Sequence, residues 1–305
     1  MKFTTPVEIS PLEKSIDYDS SIVLLGSCFS QNIGDQLSYF GFQNLINPFG
    51  TLFNPHSMAT LIEKSLKNEF TAKDVQERFS YFAHSDISGA NADDVLTNLK
   101  DAGRKLKHRL KTASHLIITL GTAWVYELKE NGEIVANCHQ QPQKLFNKRL
   151  LELEELTASL QGIENVTKSA NPDLQIIYTL SPVRHTKDGM VENTRSKARL
   201  HEVILQQCER SNSYYFPAYE ILMDELRDYR FYAQDMLHPN ATAVDYVWLR
   251  FRESVLHQKT ATTLKAVESY RKLAAHRPKN TKAHQEQLEK SLSILKEQNP
   301  QIHIA

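Results

Sequence analysis

The sequence predicts an α/β fold, a parallel β-sheet with helices on both faces, and three observations predict it. Four short, continuous apolar segments rich in branched residues, 22–25, 42–46, 116–120 and 174–180, have the composition of strands buried on both faces. Longer stretches with helical apolar spacing run between them. Each apolar segment ends in polar or turn residues, and in sheets of this kind ligands bind in the loops beyond the carboxyl ends of the strands.

Taken in order, Ile22 to Leu25 runs into the turn Gly26-Ser27-Cys28-Phe29-Ser30 and a helix over Ser30 to Phe40. Phe42 to Ile46 is followed by a helix over Pro55 to Lys67, and a helix over Ala92 to Lys111 precedes the strand Leu116 to Leu120. Trp124 to Ala136, with Asn131-Gly132 at its middle, has the pattern of a β-hairpin inserted after the third strand, a candidate pocket wall. A helix over Leu150 to Ser169, the strand Leu174 to Leu180 and a helix over Asn193 to Arg210 complete the alternation. An irregular stretch, Tyr214 to Ala233, leads to Asp235-Met236-Leu237-His238. The next helix starts at Thr242, whose spacing to Asp245 suits a capping box, and runs to about residue 257.

The main domain is therefore expected over residues 1–257 and a C-terminal helical appendage over 258–305, its two charged helices broken at Pro278. Leu288, Leu292 and Leu295 give the last helix a narrow apolar stripe suited to packing or to forming a homodimer.

With 305 residues, 41% hydrophobic and 24% charged, the chain can bury a full core without metals or disulfides. Lys plus Arg and Asp plus Glu are equal at 36 each, which removes the long-range positive field that nucleic-acid or anionic-membrane binding uses. Small or neutral substrates are expected instead. Residues Met1 to Lys14 are broken by Pro6 and Pro11 and charged at Glu8 and Glu13, so no signal peptide is read there, and no run approaches transmembrane length. Cysteines at 28, 138 and 208 are too scattered for a disulfide framework or a Cys-x-x-Cys metal site, which fits a reducing cytoplasm.

A nucleophile on the 26–30 turn would gain from the helix N-terminus, which stabilises a thiolate or an oxyanion; the plainer alternative is a small-residue turn around a buried cysteine. Asp235 and His238 form the only Asp-x-x-His of the chain. An Asp three residues before a His in a loop can accept its Nδ1–H and leave Nε2 for substrate; the alternative is a surface His near a helix start. Arg184 follows the fourth strand and suits a substrate carboxylate or phosphate, and His185 is the rival to His238 as general base. Adjacent Cys138 and His139 have poor spacing for a metal, and His139 is read with Asn137, Asn47 and Trp124 as lining a substrate pocket. No cofactor and no metal are expected.

The blocks Gly26-Ser27-Cys28-Phe29, Asn47-Pro48-Phe49-Gly50, Gly121-Thr122-Ala123-Trp124, Asn137-Cys138-His139, Ser181-Pro182-Val183-Arg184-His185 and Asp235-Met236-Leu237-His238-Pro239 together resemble the GSCFA-domain proteins. This bacterial group is related to the SGNH or GDSL hydrolases, and the resemblance spans roughly residues 1–255, with Ser30 where the family motif has Ala. It implies a three-layer α/β/α sandwich, SGNH-hydrolase-like and flavodoxin-like, with a Ser nucleophile in a Gly-Asp-Ser turn. In register, Gly26 takes the Gly position, Ser27 the Asp position and Cys28 the nucleophile position. Either Cys28 attacks, or the turn is shifted so that Ser27 attacks, or the site no longer hydrolyses. Cys28 is preferred, because thiolates are the better nucleophile at neutral pH and a helix start lowers their pKa. The implied oxyanion hole places the N–H groups of Cys28 and Gly50 together with an Asn side chain; Ala123 stands at the Asn position, leaving Thr122 or Asn137 to substitute.

The expected protein is thus an SGNH-like esterase or thioesterase acting on a small acylated molecule. An acyltransferase using the same residues, or a binding or scaffold protein with a degenerate site, are the alternatives. A nucleotide-binding Rossmann protein would need a Gly-x-Gly-x-x-Gly after the first strand, and none is there.

Overall fold

The structure, a computed structural model, describes residues 4–276 and 281–304. Five parallel strands form the central sheet: β1 (Ser21–Gly26), β2 (Gln43–Ile46), β3 (His115–Leu120), β7 (Gln175–Leu180) and β8 (Tyr214–Phe216). Their order, β2-β1-β3-β7-β8, is the flavodoxin-like order with a switch point between β1 and β3. Alternate side chains of each strand feed opposite layers, as the pleat requires. Val23, Leu25, Ile118 and Ile176 pack under α2 (Pro55–Lys67), α3 (Ala92–Leu110), α4 (Leu153–Ala170) and α5 (Met190–Arg210). Ile22, Leu24, Ile117 and Ile177 pack under α1 (Cys28–Tyr39) and α7 (Ala241–Val255). The fold class is therefore the three-layer α/β/α sandwich that the sequence predicts.

A second sheet, β5-β4-β6, is antiparallel and built from β4 (Trp124–Leu128), β5 (Ile134–Val135) and β6 (Phe146–Leu150). It contains the expected hairpin plus β6, a strand the sequence reading did not include; the helix expected from Leu150 begins at Leu153 instead. The edge strand β8 lies inside the stretch expected to be irregular. It is followed by a short helical segment α6 (Ala218–Glu220) that continues as π-helical turns over Ile221–Leu226. The cap of α7 is Asn240, whose Oδ1 accepts from Ala243 N at 3.1 Å, so the helix starts one residue before Thr242 and the Thr242–Asp245 box does not form the cap.

Helices α8 (Ala261–Ala275) and α9 (Thr281–Gln298) lie over the α1/α7 layer. Leu264, Val267, Leu295, Ile302 and Ile304 are buried in the same cluster as Phe29, Leu37 and Trp248, and His303 N donates to Gly41 O at 2.8 Å. The break expected at Pro278 lies outside the described residues. Among the described residues, no helix is long and apolar enough to cross a membrane, and no group of His, Cys, Asp and Glu could hold a metal ion.

Candidate active site

Strand β1 ends in Gly26 at φ 144°, and its N–H donates to Asn47 Oδ1 at 2.9 Å. A Cβ on Gly26 would stand 2.3 Å from the Thr119 carbonyl oxygen, so only glycine lets β1 and β3 close here. Gly26→Ala is expected to lower stability by about 2–4 kcal/mol, from backbone strain plus overpacking, in a denaturant titration. Wild-type stability in that variant would show that the contact relaxes cheaply.

Ser27 is the N-cap of α1: its Oγ accepts from Phe29 N at 3.4 Å, and the residue is 1% exposed. Cys28 is the first residue of the helix and is exposed. The turn therefore presents the thiol outward and turns the serine hydroxyl inward. Cys28 N–H has no carbonyl partner among the described residues, as expected for a first-turn amide. The Cys28 thiol is pushed up by desolvation, which its own backbone N–H offsets in part. That direction is opposite to the one expected from a helix start: the lost hydration of the thiolate outweighs the helix-end amides. Ser30, where the family motif has Ala, is fully buried, and its Oγ has no hydrogen-bond partner.

The loop after β2 passes over this turn. Leu52 N donates to Gly26 O at 2.9 Å, and Phe53 O accepts from Gly121 N and Thr122 N at 2.8 and 3.0 Å. Two expected oxyanion donors are already committed. Gly50 N–H donates to Asn47 O at 2.8 Å, closing a turn in which Asn47 has φ 40°, and Thr122 Oγ1 pairs with Ser196 Oγ at 3.0 Å and accepts from Trp124 N. Thr51, between Gly50 and Leu52, has neither its N–H nor its hydroxyl engaged among the described residues. Sequence reasoning missed it, as it missed His84 and Asp86, which pair at 3.1 Å against Gly50.

At the far end of the chain, Asp235 Oδ2 meets His238 Nδ1 at 2.6 Å. Asp235 Oδ1 accepts from Leu237 N and His238 N at 2.9 and 3.0 Å, and Met236 takes φ 60° to allow that turn. These donors, the His238 backbone N–H first, hold the Asp235 carboxyl down at about 2, so it is ionised at any physiological pH. The imidazole is fixed by its Nδ1, and His238 Nε2 has no hydrogen-bond partner among the described residues. Cys28 and His238 stand at the starts of α1 and α7, neighbouring helices joined by Gln36 Nε2 to Asp245 Oδ1 at 3.2 Å. Both helices begin at the carboxyl edge of the sheet. No hydrogen bond joins the thiol to His238 in this state; such contacts are often made only once substrate is bound.

His185 sits between β3 and the 235–238 loop. Its ring packs edge-on to Phe53 at 5.1 Å, and its Nε2 is buried against Gly121 without a partner. Desolvation, then the charges of Lys197 and His238, push it down to about 4, which keeps it neutral. Lys197 is wholly buried with Nζ on Ser181 O at 2.6 Å, and desolvation followed by Arg184 pushes it down to about 7. Arg184 reaches the 235–238 loop through its backbone, with N to Leu237 O at 3.4 Å.

The remaining residues expected in a pocket have scaffold contacts. Trp124 Nε1 donates to Glu192 O at 3.3 Å, tying the small sheet to α5. His139 stacks on Phe79 at 4.4 Å with Nε2 between Ser80 O and Ala83 O, and Asn137 Oδ1 accepts from His139 N. Together they brace the 79–84 turn that abuts Gly50.

Fold and site thus define an α/β sandwich that carries a cysteine at a helix start and an oriented Asp–His pair at the same edge of its sheet. The chain belongs to the GSCFA family, whose model matches residues 21–251. Among curated proteins, none matches it. Solved structures similar to it include a carbohydrate esterase family 3 protein from Talaromyces cellulolyticus, 9% identical, covering 81% of this chain and 98% of that one at a TM-score of 0.39. An acetyl esterase mutant with acetate ion is 10% identical and covers 81% of this chain and 99% of that one, at a TM-score of 0.37.

Proposed function

We propose that the protein is an acyl hydrolase of the esterase or thioesterase kind, with Cys28 as nucleophile and His238 as general base. The observation that carries this is the Asp235–His238 pair: an ionised carboxylate holds Nδ1 at 2.6 Å and leaves Nε2 free on an exposed loop at the substrate edge. Because partial desolvation holds the Cys28 thiol above its ordinary value, His238 removes its proton during attack rather than acting beside a preformed thiolate. His238 passes that proton to the leaving alcohol or thiol as its bond to the acyl carbon breaks, and the acyl-thioester left on Cys28 is cleaved by water, whose proton His238 takes and delivers to the departing Cys28 thiolate. Cys28 N–H and the free Thr51 N–H are the amides available to the oxyanion. His185, neutral and enclosed, supports the packing of this edge and does not replace His238.

Turnover of short p-nitrophenyl and thioester acyl substrates by the wild type tests the assignment. Release of nitrophenol or free thiol is expected, and no turnover of any of them would remove it. Ser27→Ala separates the two nucleophiles. Losing the cap should cost about 1 kcal/mol of stability while hydrolysis persists; abolished hydrolysis in a folded Ser27→Ala protein would move the nucleophile to Ser27.

A further inference from the structure

Beside the Asp235–His238 loop lies a cavity of about 320 Å³ lined by Arg184, Met190, Met223, Tyr229, Tyr232 and Met236. We propose that it is an anion-recognising subsite, in which Arg184 binds a carboxylate or phosphate carried on an apolar or aromatic substrate; this rests on the acyl-hydrolase assignment and names its substrate class.

The first argument is the charge balance of the cavity. Arg227 on its wall is paired with Asp224 at 3.6 Å, and Asp228 is paired with Arg230 at 3.2 Å. Arg184 is left over. Its guanidinium touches Asn193 Oδ1 at 3.4 Å and Met223 Sδ at 3.2 Å, and no carboxylate among the described residues lies within ion-pair reach. Behind it, buried Lys197 also lacks a carboxylate, and the two basic groups flank one ring, Tyr219, at 5.9 and 5.8 Å from its centroid. A partly buried cation without a counter-charge is costly, and the basic group of Lys197 behind it offers none. An anion in the cavity would supply the missing charge, and the planar guanidinium is the side chain best shaped for a carboxylate or phosphate.

The second argument is the rim. Met190, Tyr229 and Met236 are 54, 73 and 50% exposed, and all three face one cavity. Single exposed apolar residues need no explanation, whereas a cluster around one mouth marks a contact surface for apolar ligand. Met236 lies between Asp235 and His238, so a group held here is joined to the chemistry by the same short loop.

Calorimetric titration of the full chain with phenyl phosphate, benzoate and uncharged benzamide tests the subsite without needing turnover. At least one anion is expected to bind about tenfold or more tightly than benzamide, and whichever binds tighter identifies the preferred group. Arg184→Gln should erase the preference and Arg184→Lys should retain part of it. Met190→Glu, at an exposed first turn of α5 that accommodates a carboxylate, should weaken anion binding by placing a competing charge at the rim, and it carries the test if Arg184→Gln fails to fold. Anions that bind no better than benzamide, or a preference that survives in folded Arg184→Gln, would overturn the subsite. Anion binding without any acyl hydrolysis would instead leave the subsite standing and defeat the assignment it rests on.

Discussion

Asp235→Asn is expected to lower kcat/KM for acyl hydrolysis by about 100-fold with little change in melting temperature, and His238→Ala by about 10²–10⁴-fold. The two differ for a definite reason. Asn keeps an Oδ1 that can accept from Leu237 N and His238 N, so the 235–238 turn persists. The atom facing His238 Nδ1 at 2.6 Å, however, changes from a carboxylate oxygen to an amide donor. The imidazole must then present Nδ1 as acceptor and carry its proton on Nε2, the wrong tautomer to take a proton from a nucleophile. His238→Ala removes the base outright. Since Asp235 stays ionised down to about 2, its own protonation does not limit the rate on the acid side of the pH profile until well below pH 4. Wild-type kcat/KM in Asp235→Asn would show that the carboxylate has no part in orienting the base.

Much of the candidate site's local geometry was legible because its parts are local. Residues 26–30 and 235–238 are short turns whose geometry follows from their own sequence: a glycine that must take φ 144°, a serine that caps, an aspartate that closes a three-residue turn. Three of the four strands first recognised, β1, β3 and β7, are buried on both faces and so read as largely apolar runs, whereas the edge strand β2, with Gln43 and Asn44, is only half-buried. Strand β8 escaped because it is three residues long at the edge of the sheet, bounded by Ser213 and Pro217. Strand β6 escaped because Asn147, Lys148 and Arg149 occupy its middle, and only Phe146 and Leu150 are buried.

What stayed hidden depends on partners distant in sequence. Nothing around Lys197 says that it is buried behind Arg184, and the Gly50 amide looks free until Asn47 turns back to accept it. The sign of the Cys28 shift is of the same kind. A helix start predicts a lowered thiol, but how much of the thiolate's hydration is lost depends on the loops that pack over it. A small set of ordered motifs was therefore enough for the family and the fold, while the placement of Arg184 and Lys197 was written in tertiary contacts.

That sign leads to the second large effect. Cys28→Ala should remove the nucleophile and lower kcat/KM by about 10³-fold or more, a difference of about 4 kcal/mol or more in transition-state stabilisation. A helical first residue accepts Ala readily, so stability should change little. The same thiol, held above its ordinary value by partial desolvation, should react slowly with iodoacetamide at neutral pH, at a rate that keeps rising through the alkaline range in proportion to the thiolate formed. Hydrolysis should reach its plateau at lower pH than alkylation does, because His238 removes the proton only as the thiol attacks substrate. Coincident pH profiles for alkylation and hydrolysis would mean that a preformed thiolate is the reactive species and that His238 is not the base. Full activity in a folded Cys28→Ala protein would take the chemistry away from this turn altogether.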